Sequence, residues 1–182
     1  MPVTSEPRPQ APAQPETAAP RLSAKLIIPF IDSTRQVFAK MVGVKAETGQ
    51  PHLKDNAVPS YDVSGIIGFS GDLVGSVVVS FQLQTARKLV ASFVGFDLDP
   101  GSADFADAVG ELANMIAGSA KKDLDGLTAN ITVPTVIIGA GHKVARLNGV
   151  PCVVIPCKTP VGDFAVEVNI KPSGAPNQKR LG

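Results

Sequence analysis

The chain has 182 residues, 17 Lys plus Arg against 16 Asp plus Glu, and a formal net charge of +1. That length suits one domain with tails, and the near balance of charge excludes a strongly basic nucleic-acid binder. Hydrophobic residues make up 44%, enough for a core, while two His and two Cys leave little for a metal centre.

Six of the 16 prolines fall between Met1 and Pro20, among Ser, Thr, Gln and Ala. Residues 1–22 therefore read as a disordered Pro-rich arm. No apolar segment follows the start as in a signal peptide. Residues 171–182 carry Lys171, Lys179 and Arg180 without an acid and read as a flexible basic tail. Between them, residues 23–170 form the expected domain, with 12 basic and 14 acidic side chains. No apolar run is long enough to span a bilayer, and three tail charges without an apolar face give little membrane anchoring. Without a targeting signal or a disulfide framework, the reading favours the cytoplasm.

Lys25 to Val42 is predicted to be a helix, beginning near Pro29 and ending at Gly43. Its buried stripe would run through Ile27, Phe30, Ile31, Thr34, Val37, Phe38 and Met41. A polar connection spans Glu47 to Pro59. Tyr61–Phe69 and Val74–Phe81 flank Ser70-Gly71-Asp72 and read as a hairpin. Leu83–Val94 is a short helix. A second long helix opens at Ser102 or Ala103, runs to about Leu124 and stops at Gly126. Thr128–Gly139 is a strand interrupted by Pro134. Pro151–Cys157 and Phe164–Ile170 form a second hairpin around Pro160-Val161-Gly162. Cys152 and Cys157, five apart, fall on opposite strand faces and read as buried small hydrophobes.

The order predicts an α+β fold: two long helices packed on an antiparallel β-sheet. Gly75-Ser76-Val77-Val78-Val79 is echoed by Gly162-Asp163-Phe164-Ala165-Val166, which hints at pseudo-duplicated helix–hairpin halves.

The second long helix is the one element whose outer face has a pattern. At about 100° per residue, Phe105, Val109, Leu112 and Ile116 form the core stripe. Asp107, Glu111 and Asn114 lie together on the opposite side, and Gly118 and Lys121 continue that ridge. Asp107 and Glu111 are like charges four apart, which is mildly destabilising, and no base of the helix is placed to neutralise Glu111. Gly118 costs about 1 kcal/mol against Ala in a helix interior. Acids near a helix N-terminus also suit its dipole, so the spacing alone favours an ordinary solvated face.

Other signatures of catalysis fail on geometry. Gly68-Phe69-Ser70-Gly71-Asp72 is a hairpin turn rather than a nucleophile elbow. Gly139-Ala140-Gly141 lacks the third Gly and following helix of a dinucleotide site. His142 has no orienting partner in sequence and reads as a surface residue.

Several segments together resemble CheX-type chemotaxis phosphatases. They are Asp62 to Asp72, Gly75 to Phe81, Gly110-Glu111-Leu112-Ala113-Asn114-Met115-Ile116-Ala117-Gly118, Pro134-Thr135-Val136 and Gly139 to His142, and the likeness covers about Leu26 to Ile170. Asp107, Glu111 and Asn114 fit the helix motif shared by the CheC, CheX and FliY group. Pro134 matches the motif's later Pro, at a shorter spacing than the group's usual one. The resemblance implies a phosphatase for phosphorylated CheY-like response regulators. Asn114 would place the water, Glu111 would pair with the regulator's Lys, and Asp107 would support docking. Gly118 is not part of that motif; as a glycine on an exposed helical face it would clear space for the partner. The resemblance implies no cofactor of the chain's own, with Mg²⁺ supplied by the bound regulator. The first helix has no Glu and no Asn between Pro29 and Val42, so one site per chain is expected, and the resemblance implies a homodimer. The alternative is a non-catalytic adaptor that docks a regulator; the retained Asn114 favours the enzyme.

Overall fold

The computed structural model describes residues 24–55, 60–124 and 126–174. The expected N-terminal arm lies outside these residues, as does most of the C-terminal tail. Among the described residues three α-helices pack on one face of an eight-stranded antiparallel sheet, so the chain is α+β as its pattern predicts.

Helix α1 spans Ala24–Val37 and starts upstream of Pro29, which is buried within it. It continues as a π-helical turn over Phe38–Val42. Gly43 closes that turn in the left-handed region, at φ 75°, donating its N–H to the Phe38 carbonyl. The wider turn corrects the predicted stripe. Val42 takes the buried place expected for Met41, and Met41 is left 48% exposed.

Two short strands follow, β1 (Glu47–Thr48) and β2 (His52–Leu53). The hairpin of β3 (Val63–Gly71) and β4 (Leu73–Phe81) is where the sequence placed it, and α2 (Leu83–Val94) has the expected bounds. Helix α3 spans Ala103–Lys122. Its N-cap Ser102 accepts from the Phe105 N–H through its hydroxyl at 3.1 Å, while Asp104 and Lys121–Lys122 complement the dipole at the two ends.

The single strand expected over Thr128–Gly139 is two, β5 (Ala129–Ile131) and β6 (Thr135–Ile138), both paired with β3. Ile131 faces Phe69 and Thr135 faces Ile66, so three residues stand opposite two between them. This is a bulge. Thr132 anchors it, donating its N–H to the Gly68 carbonyl and accepting from the Gly68 N–H on Oγ1, both at 3.0 Å. Pro134, which has no N–H to offer, fits the unpaired stretch. The second hairpin is β7 (Val153–Thr159) and β8 (Gly162–Pro172), whose last strand runs two residues past the expected domain end.

The sheet order is β1-β7-β8-β4-β3-β5, with β2 also on β7 and β6 also on β3. Alternation along β8 sends Phe164, Val166, Val168 and Ile170 into the helix-side core. Phe164 stacks on Phe38 at 4.5 Å and on Phe81 at 5.3 Å between ring centroids. Helix α1 meets α3 through Ser33, whose buried hydroxyl donates to the Ile116 carbonyl at 2.6 Å.

The other sheet face is polar and covered. Glu167 is buried there, paired with Lys54 and with Arg146 at 3.9 Å, and accepts from the Ser60 hydroxyl at 3.0 Å. Asn169 bonds the backbone of Leu147 and Val150. His142 is not a free surface residue: its ring is half-buried, Nδ1 at 2.7 Å from the Gly139 carbonyl and Nε2 at 2.8 Å from the Ser64 hydroxyl. The carbonyl can only accept, so Nδ1 carries the proton.

Candidate active site on helix α3

Two glycines and a proline set the position of α3. At Gly65 of β3 an added Cβ would lie 2.8 Å from the Ala113 Cβ and 3.2 Å from the Val109 carbonyl oxygen. The bare backbone there lets the middle of α3 approach the sheet directly behind Asn114. On the flank, an added Cβ at Gly110 would sit 3.2 and 3.3 Å from the Pro134 ring and 3.4 Å from Val136. The bulge thus seats Pro134 against the turn that carries Glu111. That contact ties together two segments 20 or more residues apart in sequence, and it leaves Val133 83% exposed beside them.

The predicted ridge exists. Asp107 and Glu111 are exposed, and Asn114 and Gly118 are half-buried, on the side of α3 away from Phe105, Val109, Leu112 and Ile116. Asn114 Nδ2 donates to Glu111 Oε2 at 3.4 Å, a long contact that holds the amide loosely toward the carboxylate. Among the described residues Glu111 and Asp107 form no ion pair. The Glu111 carboxylate therefore keeps acceptor capacity for a partner's cation, and Asn114 offers both a donor and an acceptor to solvent.

Chemistry elsewhere is sparse. Among the described residues no three of His, Cys, Asp and Glu stand close enough to hold a metal ion. Both cysteines are free and buried. Burial pushes the Cys157 thiol up to about 12 and, with help from the Glu167 charge, that of Cys152 up to about 11, so neither is a nucleophile at neutral pH. As their spacing predicts, they face opposite ways: Cys157 belongs to the helix-side core and Cys152 does not.

The sequence reading missed what borders Asn114. An open trough of about 450 Å³ runs beside it, lined by Lys40 and Met41 of the π-helical turn and by Ile131 of β5. The exposure of Met41 depends on the π-helical turn, which no periodicity in the sequence announces.

The fold and the outward pair on α3 define the chain as an α+β protein that presents a carboxylate and an amide side by side on one helix. The profile of the family described as Chemotaxis phosphatase CheX matches residues 63–158, more than half of the chain. The chain belongs to that family. It is 37% identical to a chemotaxis protein CheX of Desulfovibrio desulfuricans, over 81% of this chain and 99% of that one, with a TM-score of 0.74. It is 26% identical over 162 residues to the CheY-P phosphatase CheX of Thermotoga maritima, covering 84% of this chain and all of that protein. The CheX–CheY–BeF₃–Mg²⁺ complex of Borrelia burgdorferi contains a chain 27% identical to this one, over 80% of this chain and 97% of that chain, with a TM-score of 0.69. No described helix is long and apolar enough to cross a membrane.

Proposed function

We propose that this protein hydrolyses the aspartyl phosphate of a CheY-like response regulator. The observation that carries the reading is the outward pair on α3, with Asn114 Nδ2 3.4 Å from Glu111 Oε2 and no protein cation on Glu111 among the described residues. An acyl phosphate needs little activation. Water attacks phosphorus, the bond to the aspartyl carboxylate breaks, and the carboxylate leaves as itself. Phosphate is released and the water's proton passes to phosphate or solvent.

What the chain supplies is position. The Asn114 amide both accepts from and donates to water, so it fixes the water's direction much as a Gln does in GTPases. Glu111 binds the regulator's active-site cation and brings the amide to the phosphoryl group. Asp107, one turn earlier, supports docking, and Gly118 leaves room for the regulator's surface. Mg²⁺ belongs to the regulator and screens the phosphoryl charge there. We further propose a cytoplasmic homodimer, since the strands at the sheet's two sides leave edges that a second copy can extend, and two related helix–hairpin halves. Each half contributes short strands to the outer strand of the other's hairpin, β1 and β2 to β7, and β5 and β6 to β3, which supports that relation.

The test is dephosphorylation of a Mg²⁺-loaded regulator labelled with acetyl phosphate. Wild type should accelerate it. Asn114→Ala should lower kcat about 10²-fold with association intact, and Glu111→Lys should weaken association. Equal rates for wild type and Asn114→Ala would remove the water-positioning role, and no acceleration by wild type would leave the adaptor reading.

A further inference from the structure

The trough beside Asn114 is the least expected surface of the protein. Lys40 and Met41 form one wall, Met115, Gly118 and Lys122 of α3 lie along it, and Ile131 reaches it from β5. Gly118 is the low point, because an added Cβ there would find only the Ile131 Cδ1 at 3.8 Å. The π-helical turn exposes Met41 at one side when a continued α-helix would have buried it. Single turns of this kind recur at functional sites.

Charge divides along the same face. Asp104, Asp107 and Glu111 occupy the N-terminal half of α3, and Lys121 and Lys122, with Lys40 across the trough, occupy the other end. Among the described residues, Lys40 and Lys122 enter no ion pair. Asn114 stands between the two halves.

We propose that the trough is the second docking contact for the regulator. It takes an apolar side chain flanked by carboxylates on the regulator's surface, while Glu111 takes the regulator's cation. This rests on the phosphatase reading above. The occupant is the regulator rather than a second copy of this chain, because the trough is continuous with Asn114, which must face the regulator during turnover, and a second copy seated there would keep the regulator away. Opposite charges at the two ends of one ridge also fix which way round the regulator docks, which is the usual work of charge complementarity at an interface.

The experiment compares wild type, Lys40→Glu, Lys122→Glu and Gly118→Leu in the full chain, against the regulator loaded with Mg²⁺ and beryllofluoride for binding and against the phosphorylated regulator for turnover. Each variant should raise Kd and KM about tenfold, and for the two lysine variants kcat at saturating regulator should stay within about twofold of wild type. The lysine variants should also show a weaker salt dependence of association. Asn114→Ala should show the opposite split, with kcat down and KM held. Lysine variants with wild-type KM and salt dependence overturn the proposal while leaving the phosphatase reading intact. Lysine variants that change the mass in light scattering instead of regulator affinity also overturn it, and mark the trough as a self-association face. A wild type that accelerates no regulator removes both.

Discussion

Replacing Gly118 by Ala separates what the fold needs from what the site needs. In the interior of α3 a glycine costs about 1 kcal/mol against alanine, because its backbone loses more freedom on folding. A glycine that packing required would hide this cost by a clash on substitution. Gly118 has no such neighbour: the new methyl would touch only the Ile131 Cδ1, at an ordinary 3.8 Å. The whole propensity gain should therefore be realised, about 1 kcal/mol, which for a chain of this size raises Tm by about 2–4 °C. Gly110 is the internal control. It too lies within α3, but its added Cβ meets the Pro134 ring at 3.2 and 3.3 Å, so the same substitution there should give no gain or a loss. Thermal and urea denaturation of the two variants, with KM for the regulator measured in parallel, checks the argument. Gly118→Ala should be more stable than wild type and bind the regulator less well. A Tm equal to or below that of wild type would refute the claim that packing does not need this glycine.

Gly65→Ala should cost about 1–3 kcal/mol and lower kcat, since its Cβ would stand 2.8 Å from the Ala113 Cβ and push α3 off the sheet next to Asn114; chemical denaturation and turnover measure the two effects. On the opposite face, Glu167→Gln should destabilise more than Lys54→Met, because the first leaves the Lys54 and Arg146 cations together without their carboxylate, whereas the second leaves Glu167 with Arg146 and Ser60. Removing a partner from such a buried pair costs about 3–5 kcal/mol, and unfolding curves showing equal or reversed costs would refute this ordering. Cys157 should make stability fall in alkali. Its folded value is raised to about 12 from an ordinary 9.0, so the unfolded chain loses its proton first. The contribution is complete below pH 9.0 and lost as pH rises toward 12, at about 1.4 kcal/mol per pH unit; Cys157→Ala should flatten the unfolding free energy over that window.

Much of this fold was written in short-range pattern. The bounds of α2, both hairpins and the core stripe of α3 follow from alternation and the three-and-four spacing, because each buries one face against one neighbour. The failures have physical causes. Met41 was placed in the core because an α-helical period was carried through a π-helical turn, where Val42 takes that place. Strands β1 and β2 are two residues each, Glu47–Thr48 and His52–Leu53, and too short to show alternation. Pro134 announced an interruption, but only the pairing of Thr132 with Gly68 fixes it as a bulge aimed at α3. Glu167 lies on the strand face opposite the helices, where water would be expected. Its burial comes from Lys54, Ser60 and Arg146, more than 100, more than 100 and 21 residues away in the chain, which no local pattern brings together.

The candidate ridge was legible for the same reason that α3 was, since Asp107, Glu111, Asn114 and Gly118 share one helix and one face. The trough was not, because Lys40, Met41 and Ile131 come from other elements. That division matters for how the site works. Asn114 and Glu111 are solvent-facing, so their polar groups act at full strength only when a partner closes over them and lowers the local dielectric. Among its described residues the cysteines are buried and no metal cluster is present; in the proposed mechanism the chain's contribution to rate is the placing of one water. In that proposed mechanism docking and catalysis are joined at Glu111, which would both hold the regulator and set the amide's distance from phosphorus. They can be separated only at contacts away from that carboxylate. The trough is such a contact, and variants there should move KM without kcat, while variants at Asn114 move kcat alone.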